Sequence, residues 1–235
     1  MSADSPVAPP RRRVRSIPFE NGDRMDQPTF HRLYLRTPEK LKAELLGGIV
    51  FMASPVNLDH SEPDSLISLL LGGYRARTPG TKHFGNGTVI LGAKDEPQPD
   101  QILYVRPEFG GLTRIHDRQL HGPPELVVEV AMSSRSRDLN LKRRRYYLAG
   151  IPEYLVVLPK HKEVRWFVHG GDDYMPMPPD PQDGRFKSRV FGGLWLDANA
   201  LFAEDLAAML AALDCGLASP EHAATVARLA AANSA

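Results

Sequence analysis

With only one cysteine, Cys215, among its 235 residues, the chain can form no intrachain disulfide and no cysteine-based zinc cluster. That scarcity fits a reducing cytoplasm, the compartment expected for this protein. No apolar run approaches the ~20 residues of a membrane span, so no membrane partner is expected. The formal net charge is only +1, so no global field draws the chain onto nucleic acid, and any DNA affinity must come from local patches. Arg11, Arg12, Arg13 and Arg15 near the N-terminus are followed by no apolar stretch, so this segment does not read as a signal peptide.

What remains is ordinary for a soluble globular domain: 42% hydrophobic and 24% charged residues. The 21 prolines and 19 glycines imply many turns. No internal repeat is visible. Thr29 to Leu35 reads as a short helix, and Leu41 to Ala53 as two strands around Gly47-Gly48. Ser61-Glu62-Pro63-Asp64 carries helix-start chemistry, followed by apolar Leu66, Ile67, Leu69, Leu70, Leu71 and Tyr74. Lys82–Leu91, Ile102–Val105, Leu126–Val130, Tyr154–Leu158 and Val164–Val168 read as strands. Residues 106–122 read as a loop, and 170–190 as an exposed loop with one strand. Arg137–Ala149 reads as a helix ending at Gly150 before Pro152. Ala200–Leu213 reads as a helix, as does a last segment capped by Ser219 with Pro220 in its first turn. Strands, helix, strands, helix and strands in that order predict an α/β layer around one mixed sheet.

Chemistry concentrates at three residues. Asp100 and Glu129 adjoin or interrupt apolar, strand-like runs, where a charge is costly unless something pairs with it. They lie 29 positions apart, so only adjacent strands could join them. A divalent cation between the two carboxylates would be one partner, since Mg²⁺ takes one or two carboxylates plus waters and phosphate oxygens. Lys142 follows 13 positions after Glu129, with Asp138 four residues before it on the same helix face. It could assist an attacking water or hold a phosphate as a point charge. Taken singly, each has a plainer reading. Pro99-Asp100 is turn chemistry, Glu129 a strand-end acid paired with a nearby arginine, and Asp138–Lys142 a solvated pair on a basic face. Taken together they point to metal-dependent phosphodiester cleavage. Arg135, Arg137, Arg143, Arg144 and Arg145 would then flank the site and meet DNA phosphates. His60 before its helix reads first as a cap. The histidines at 83, 116, 121, 161 and 169 show no metal-ligand spacing.

The segment Glu129-Val130-Ala131-Met132-Ser133-Ser134-Arg135-Ser136-Arg137-Asp138-Leu139-Asn140-Leu141-Lys142, followed by Tyr146-Tyr147-Leu148-Ala149-Gly150-Ile151-Pro152-Glu153-Tyr154, resembles the bacterial Uma-two-type family. These are restriction-endonuclease-like proteins of the PD-(D/E)XK nuclease superfamily. Glu44-Leu45-Leu46-Gly47-Gly48-Ile49-Val50-Phe51-Met52-Ala53-Ser54-Pro55 and His60 are similar to its N-terminal signature, and Pro99-Asp100 to its central acid motif. The resemblance implies a restriction-endonuclease-like fold with a central mixed sheet flanked by helices. It also implies Asp100 and Glu129 as metal ligands and Glu44 as a further acid. Where the superfamily's simplest pattern puts lysine two residues after the second acid, this chain has Ala131, so Lys142 on the following helix would take that place.

The expected organisation is a disordered Pro/Arg-rich tail over 1–27, a nuclease domain over 28–205 and a C-terminal helical extension over 206–235. The expected activity is Mg²⁺-dependent (or Mn²⁺-dependent) hydrolysis of duplex DNA by a homodimer. The competing reading is a catalytically idle nuclease fold that binds DNA or another protein.

Overall fold

A strand apolar on both faces except for one side chain has to be covered on both sides, and Leu-Val-Val-Glu-Val at 126–130, with Glu129 the exception, is such a strand. The computed structural model, which describes residues 17–38, 40–52 and 58–234, puts it in the middle of a six-stranded sheet. In chain order the elements are α1 (Gln27–Tyr34), β1 (Ala43–Leu46), β2 (Ile49–Met52), α2 (Leu58–Arg77), β3 (Thr81–Gly85), β4 (Val89–Ile90), β5 (Gln101–Val105), β6 (Arg114–His116), β7 (Gln119–His121) and β8 (Leu126–Val130). A π-helical turn (Arg137–Lys142) then runs into α3 (Arg143–Leu148). There follow β9 (Glu153–Leu158), β10 (Glu163–His169), β11 (Tyr174–Met177), β12 (Phe186–Lys187), β13 (Trp195–Leu196), α4 (Ala198–Phe202), α5 (Leu206–Leu217) and α6 (Pro220–Asn233).

The main sheet has the order β11-β10-β9-β8-β5-β3. β8 and β9 run parallel, and the other pairs are antiparallel, so the sheet is mixed as expected. Strand alternation sorts its side chains into two cores. Leu126, Val128 and Val130 of β8 join Leu155 and Val157 of β9 against Ile67, Leu71 and Tyr74 of α2 and Met209 and Leu213 of α5. Val127, Tyr154, Val156 and Leu158 face the other way, against Tyr146 of α3. Each fully buried side chain of this kind contributes roughly 1.5–3 kcal/mol. Glu129 shares the α3 face with Val127, and this fixes which helix can reach it. Among the described residues no helix is long and apolar enough to cross a membrane.

Several elements differ from the sequence expectation. Residues 1–16 of the expected tail lie outside the described residues. The rest of that span is packed: Phe19 is buried with Phe30, Leu45 and Val50, and the Val50 amide donates to Asp23 O at 2.8 Å. One aromatic anchor outweighs the polar composition around it. The C-terminal helices are not an appendage either, because Met209, Leu213 and Leu229 belong to the main core. The expected helix over 200–213 breaks into α4 and α5 at Glu204, which adopts φ +57°, and Asp205 caps α5 through the Ala208 amide. The expected loop over 106–122 contains the β6–β7 hairpin, with Leu120 buried beside Val89 and Ile102. The expected strand from 82 to 91 divides between two sheets at Asn86, whose φ is +55°.

Candidate functional site

The register of β5 on β8 pairs Gln101 with Val128 and Ile102 with Val127. Continuing it by one residue sets Asp100 opposite Glu129. A hydrogen bond closes the pair of strands there, with the Val130 amide donating to Asp100 Oδ2 at 2.7 Å. Both carboxylates line one cavity of about 780 Å³, together with Glu44, His60, Asp138 and Lys142. Antiparallel pairing thus joins two acids that the sequence separates.

Glu44 arrives by the same alternation. Ala43 and Leu45 of β1 pack into the α1 cluster, and the residue between them faces the cavity. Lys142 ends the π-helical turn and is almost wholly buried. Its Nζ donates to Glu129 Oε1 at 2.8 Å and forms an ion pair with Glu44 Oε2 at 3.0 Å, without the alignment of a hydrogen bond. One turn further on, Tyr146 donates its hydroxyl to the same Glu129 Oε1 at 2.7 Å. The hydroxyl of Tyr154 on β9 donates to Asp138 O at 3.1 Å and ties the helix start to the sheet.

A π-helical turn closes i→i+5 hydrogen bonds and so fits an extra residue per turn, a feature that recurs at functional sites. Here it brings Arg137, Asp138 and Lys142 to the same cavity wall. Asp138 is buried at 1% exposure. Its Oδ2 accepts from Ser134 Oγ, while Oδ1 is buried with no hydrogen-bond partner. Arg137 Nε lies 3.7 Å from Glu44 Oε1.

The electrostatics follow from burial. Desolvation pushes the Glu129 carboxyl well above the usual range. The Lys142 charge opposes this shift, and Asp100, Asp138 and Glu44 reinforce it. Desolvation raises Asp138 as well. For Lys142 burial favours the neutral amine, but Glu129, Glu44 and Asp138 together outweigh it and hold the ammonium above its ordinary value. Lys142 is therefore a cation here, a donor of hydrogen bonds and charge and not a base. On the opposite wall His60 Nε2 lies 3.4 Å from Asp100 Oδ2, and that carboxylate raises the imidazole pKa. His60 sits inside α2, whose first residue is Leu58, so it is not the helix cap.

The oxygen donors fit a hard divalent cation. Among the described residues no group of three or more His, Cys, Asp or Glu side chains could hold a metal. Mg²⁺ does not need one, since it uses one or two carboxylates and fills its shell with water and phosphate oxygens. Charge fits too. Four carboxylates, Glu44, Asp100, Glu129 and Asp138, line the cavity together with four basic side chains, Lys42, Arg137, Lys142 and Lys160, so acids suited to a cation and bases suited to a phosphate share its walls. The hydrogen bonds described for Asp100 and Glu129 fall on one oxygen of each, Oδ2 and Oε1.

Of the five arginines expected to flank the site, Arg137 lines the cavity and the others do not. Arg145 forms an ion pair with the buried Asp95, its Nε donating to Oδ1 at 2.7 Å, and Asp95 also accepts from the Gly47 amide. Arg143 pairs with Asp173 Oδ2 at 2.9 Å, and Arg144 lies over the Tyr147 ring. Arg135 is exposed. Asp138, Tyr146, His60, Lys42 and Lys160 were not singled out as site residues from sequence, although the 138–142–146 spacing on one helix was a readable signal.

Comparison with known proteins bears on the family and the fold. The model of the Uma2 family, described as "Putative restriction endonuclease", matches residues 27–199. The crystal structure of a "putative nuclease belonging to DUF820" from Anabaena variabilis shares the fold at a TM-score of 0.59 with 14% identity, covering 73% of this chain and 96% of that one. Comparison with curated proteins gives no match. With a family match across most of its length, over the span that carries the acids, the lysine and the sheet joining them, the chain belongs to the Uma2 family and has a restriction-endonuclease-like fold.

Proposed function

We propose that this protein is a metal-dependent endonuclease that hydrolyses phosphodiester bonds in DNA. The observation that carries the reading is the β5–β8 register, which sets Asp100 against Glu129 in one cavity with the Lys142 ammonium on Glu129 Oε1 at 2.8 Å. Asp100 and Glu129 would hold the cation, Mg²⁺ or Mn²⁺. When bound, it would supply Lewis-acid charge at the scissile phosphate and a more acidic water.

The chain's own groups do the rest. Glu44 and Glu129 hold the Lys142 ammonium from two sides, so its charge faces the developing negative charge with little freedom to lose. Tyr146 holds Glu129 Oε1 in place. Arg137 and Lys160 on the cavity wall would meet phosphate oxygens. Cleavage of both strands of a duplex asks for two sites, and a two-fold dimer would supply them.

The test is plasmid nicking with Mg²⁺ or Mn²⁺, beside calorimetric metal binding, for the wild type, Asp100→Ala, Glu129→Gln and Lys142→Met. The expected result is nicking by the wild type only, with metal binding lost in the two acid variants. Wild-type protein that binds no metal, even with DNA present, would sink the proposal in favour of an idle binding module.

A further inference from the structure

A second cavity, of about 560 Å³, lies between α1 and the small sheet β4-β7-β6. Cationic and imidazole groups converge on it from both sides. Arg32 in α1 and Arg36 just beyond its end form one wall with His31, while His116 and His121 come from the β6–β7 hairpin. The buried Glu96 organises the floor. Its Oε1 takes His31 Nδ1 at 2.8 Å and its Oε2 takes Gln27 Nε2 at 2.7 Å. The ring is thereby fixed with Nε2 facing Gln119 Nε2 at 3.0 Å. Among the described residues no carboxylate lies within ion-pair distance of Arg32 or Arg36. Asp117 at the rim is exposed and lies 3.5 Å from His116 Nδ1.

One group here is left over. His121 Nε2 is buried with no hydrogen-bond partner. A buried polar nitrogen without a partner is costly, so it marks a place where a partner belongs. Guanidinium groups and imidazoles converging from two elements match an oxyanion with several acceptor oxygens, above all a phosphate.

We propose that this cavity binds a phosphate group of a nucleic-acid strand, as a second anchor beyond the cleavage site. The inference rests on the nuclease reading above for its ligand and extends the contact surface to a face of the protein not so far assigned. Two features favour a strand over a free anion. The helix that walls this cavity, α1, is tied to the first one, since Gln98, which lines the carboxylate cavity, donates to Tyr34 Oη at 2.8 Å. The β6 strand is exposed along its whole length and carries Arg114, with Arg118 in the turn after it. An extended polyanion therefore has a cationic path leading out of the cavity.

The test uses the full chain in EDTA, so that no cleavage occurs. Binding of a fluorescein-labelled single strand and of its duplex is read by anisotropy over a salt series. Imidazole ¹⁵N spectra follow added inorganic phosphate. The Arg32→Ala/Arg36→Ala double variant is expected to bind the oligonucleotide about tenfold more weakly or worse, with the slope of log K against log salt reduced by about one. Phosphate should shift the His31 and His121 resonances of the wild type. Both arginines are exposed, so the variant should keep the wild-type melting temperature. Phosphate-induced shifts with unchanged oligonucleotide affinity in the double variant would overturn the strand as ligand. No shifts and unchanged affinity would overturn the site altogether. Either failure leaves the nicking assay free to succeed.

Discussion

At the scale of single residues the site is built around one oxygen. Glu129 Oε1 accepts from both Lys142 and Tyr146, and the other carboxylates stand around that pair. Removing Lys142 leaves Glu129 and Glu44 buried without their cation, and breaking a buried pair in this way costs roughly 3–5 kcal/mol. Lys142→Ala should therefore lower the unfolding free energy in urea by about that amount, and adding Glu129→Gln should recover part of the loss. Additive losses in the double variant would show that the two side chains do not depend on each other. Tyr146→Phe is the gentler probe. It keeps the ring packed against Tyr154 and removes one donor. Outer groups that orient a ligand are worth about 10–100-fold in metal affinity. Calorimetry should thus find Mg²⁺ binding about tenfold weaker in Tyr146→Phe. Unchanged affinity would make the hydroxyl a packing detail.

At the scale of elements, the π-helical turn governs the site. Because it fits an extra residue per turn, deleting the exposed Asn140 should let the segment relax to an α-helix. Arg137 and Asp138 would then rotate away from Lys142. Far-ultraviolet circular dichroism should show undiminished helix, while metal binding falls away. An unaltered binding isotherm would mean that the turn is incidental. Arg145 on α3 makes a contrasting case, because its guanidinium is spent on Asp95, which also fastens Gly47 in the β1–β2 turn. Arg145→Ala should lower the melting temperature and leave the salt slope of DNA binding unchanged. A reduced slope would restore it to the DNA-contacting set.

These cases also show what the sequence made readable. The sheet and the two acids were legible because apolar strands carrying a lone carboxylate are costly without a partner. The α3 arginines could not be told apart in the sequence, because a run of basic residues on a helix does not reveal which one meets a buried acid from 50 positions away. The π turn had no sequence signature, and the β6–β7 hairpin was missed because all three residues of β6 are exposed, so no apolar alternation marked it.

At the scale of the whole molecule, buried acids set the response to pH. Burial raises the carboxyl pKa of Glu96, Glu125, Glu129, Asp138 and Glu153. In the unfolded chain these groups titrate near 4. Between that value and their raised native values the folded protein holds more protons than the unfolded one, so stability falls as pH rises through the window. His60 acts in the same direction: its contribution is complete below about pH 6.5, its unfolded value, and is lost as pH rises through its raised native pKa. The lowered groups Asp26, Asp180 and Asp183 lose their contribution only as pH falls below the ordinary carboxylate range. His83, whose pKa burial lowers, opposes this below about pH 6.5, one group against Glu129 and His60, so metal-free protein is expected to melt higher at about pH 5.5 than at about pH 8. A cation held by Asp100 and Glu129 reverses that balance, because it favours the ionised carboxylates and competes with their protons. At a hundredfold excess over its dissociation constant, a ligand that binds only the folded state adds about 2.7 kcal/mol. Mg²⁺ should then raise the melting temperature more at pH 8 than at pH 5.5, and Glu129→Gln should abolish the difference. If Mg²⁺ stabilises wild type and variant alike at both pH values, the ion binds elsewhere and these carboxylates serve the fold alone.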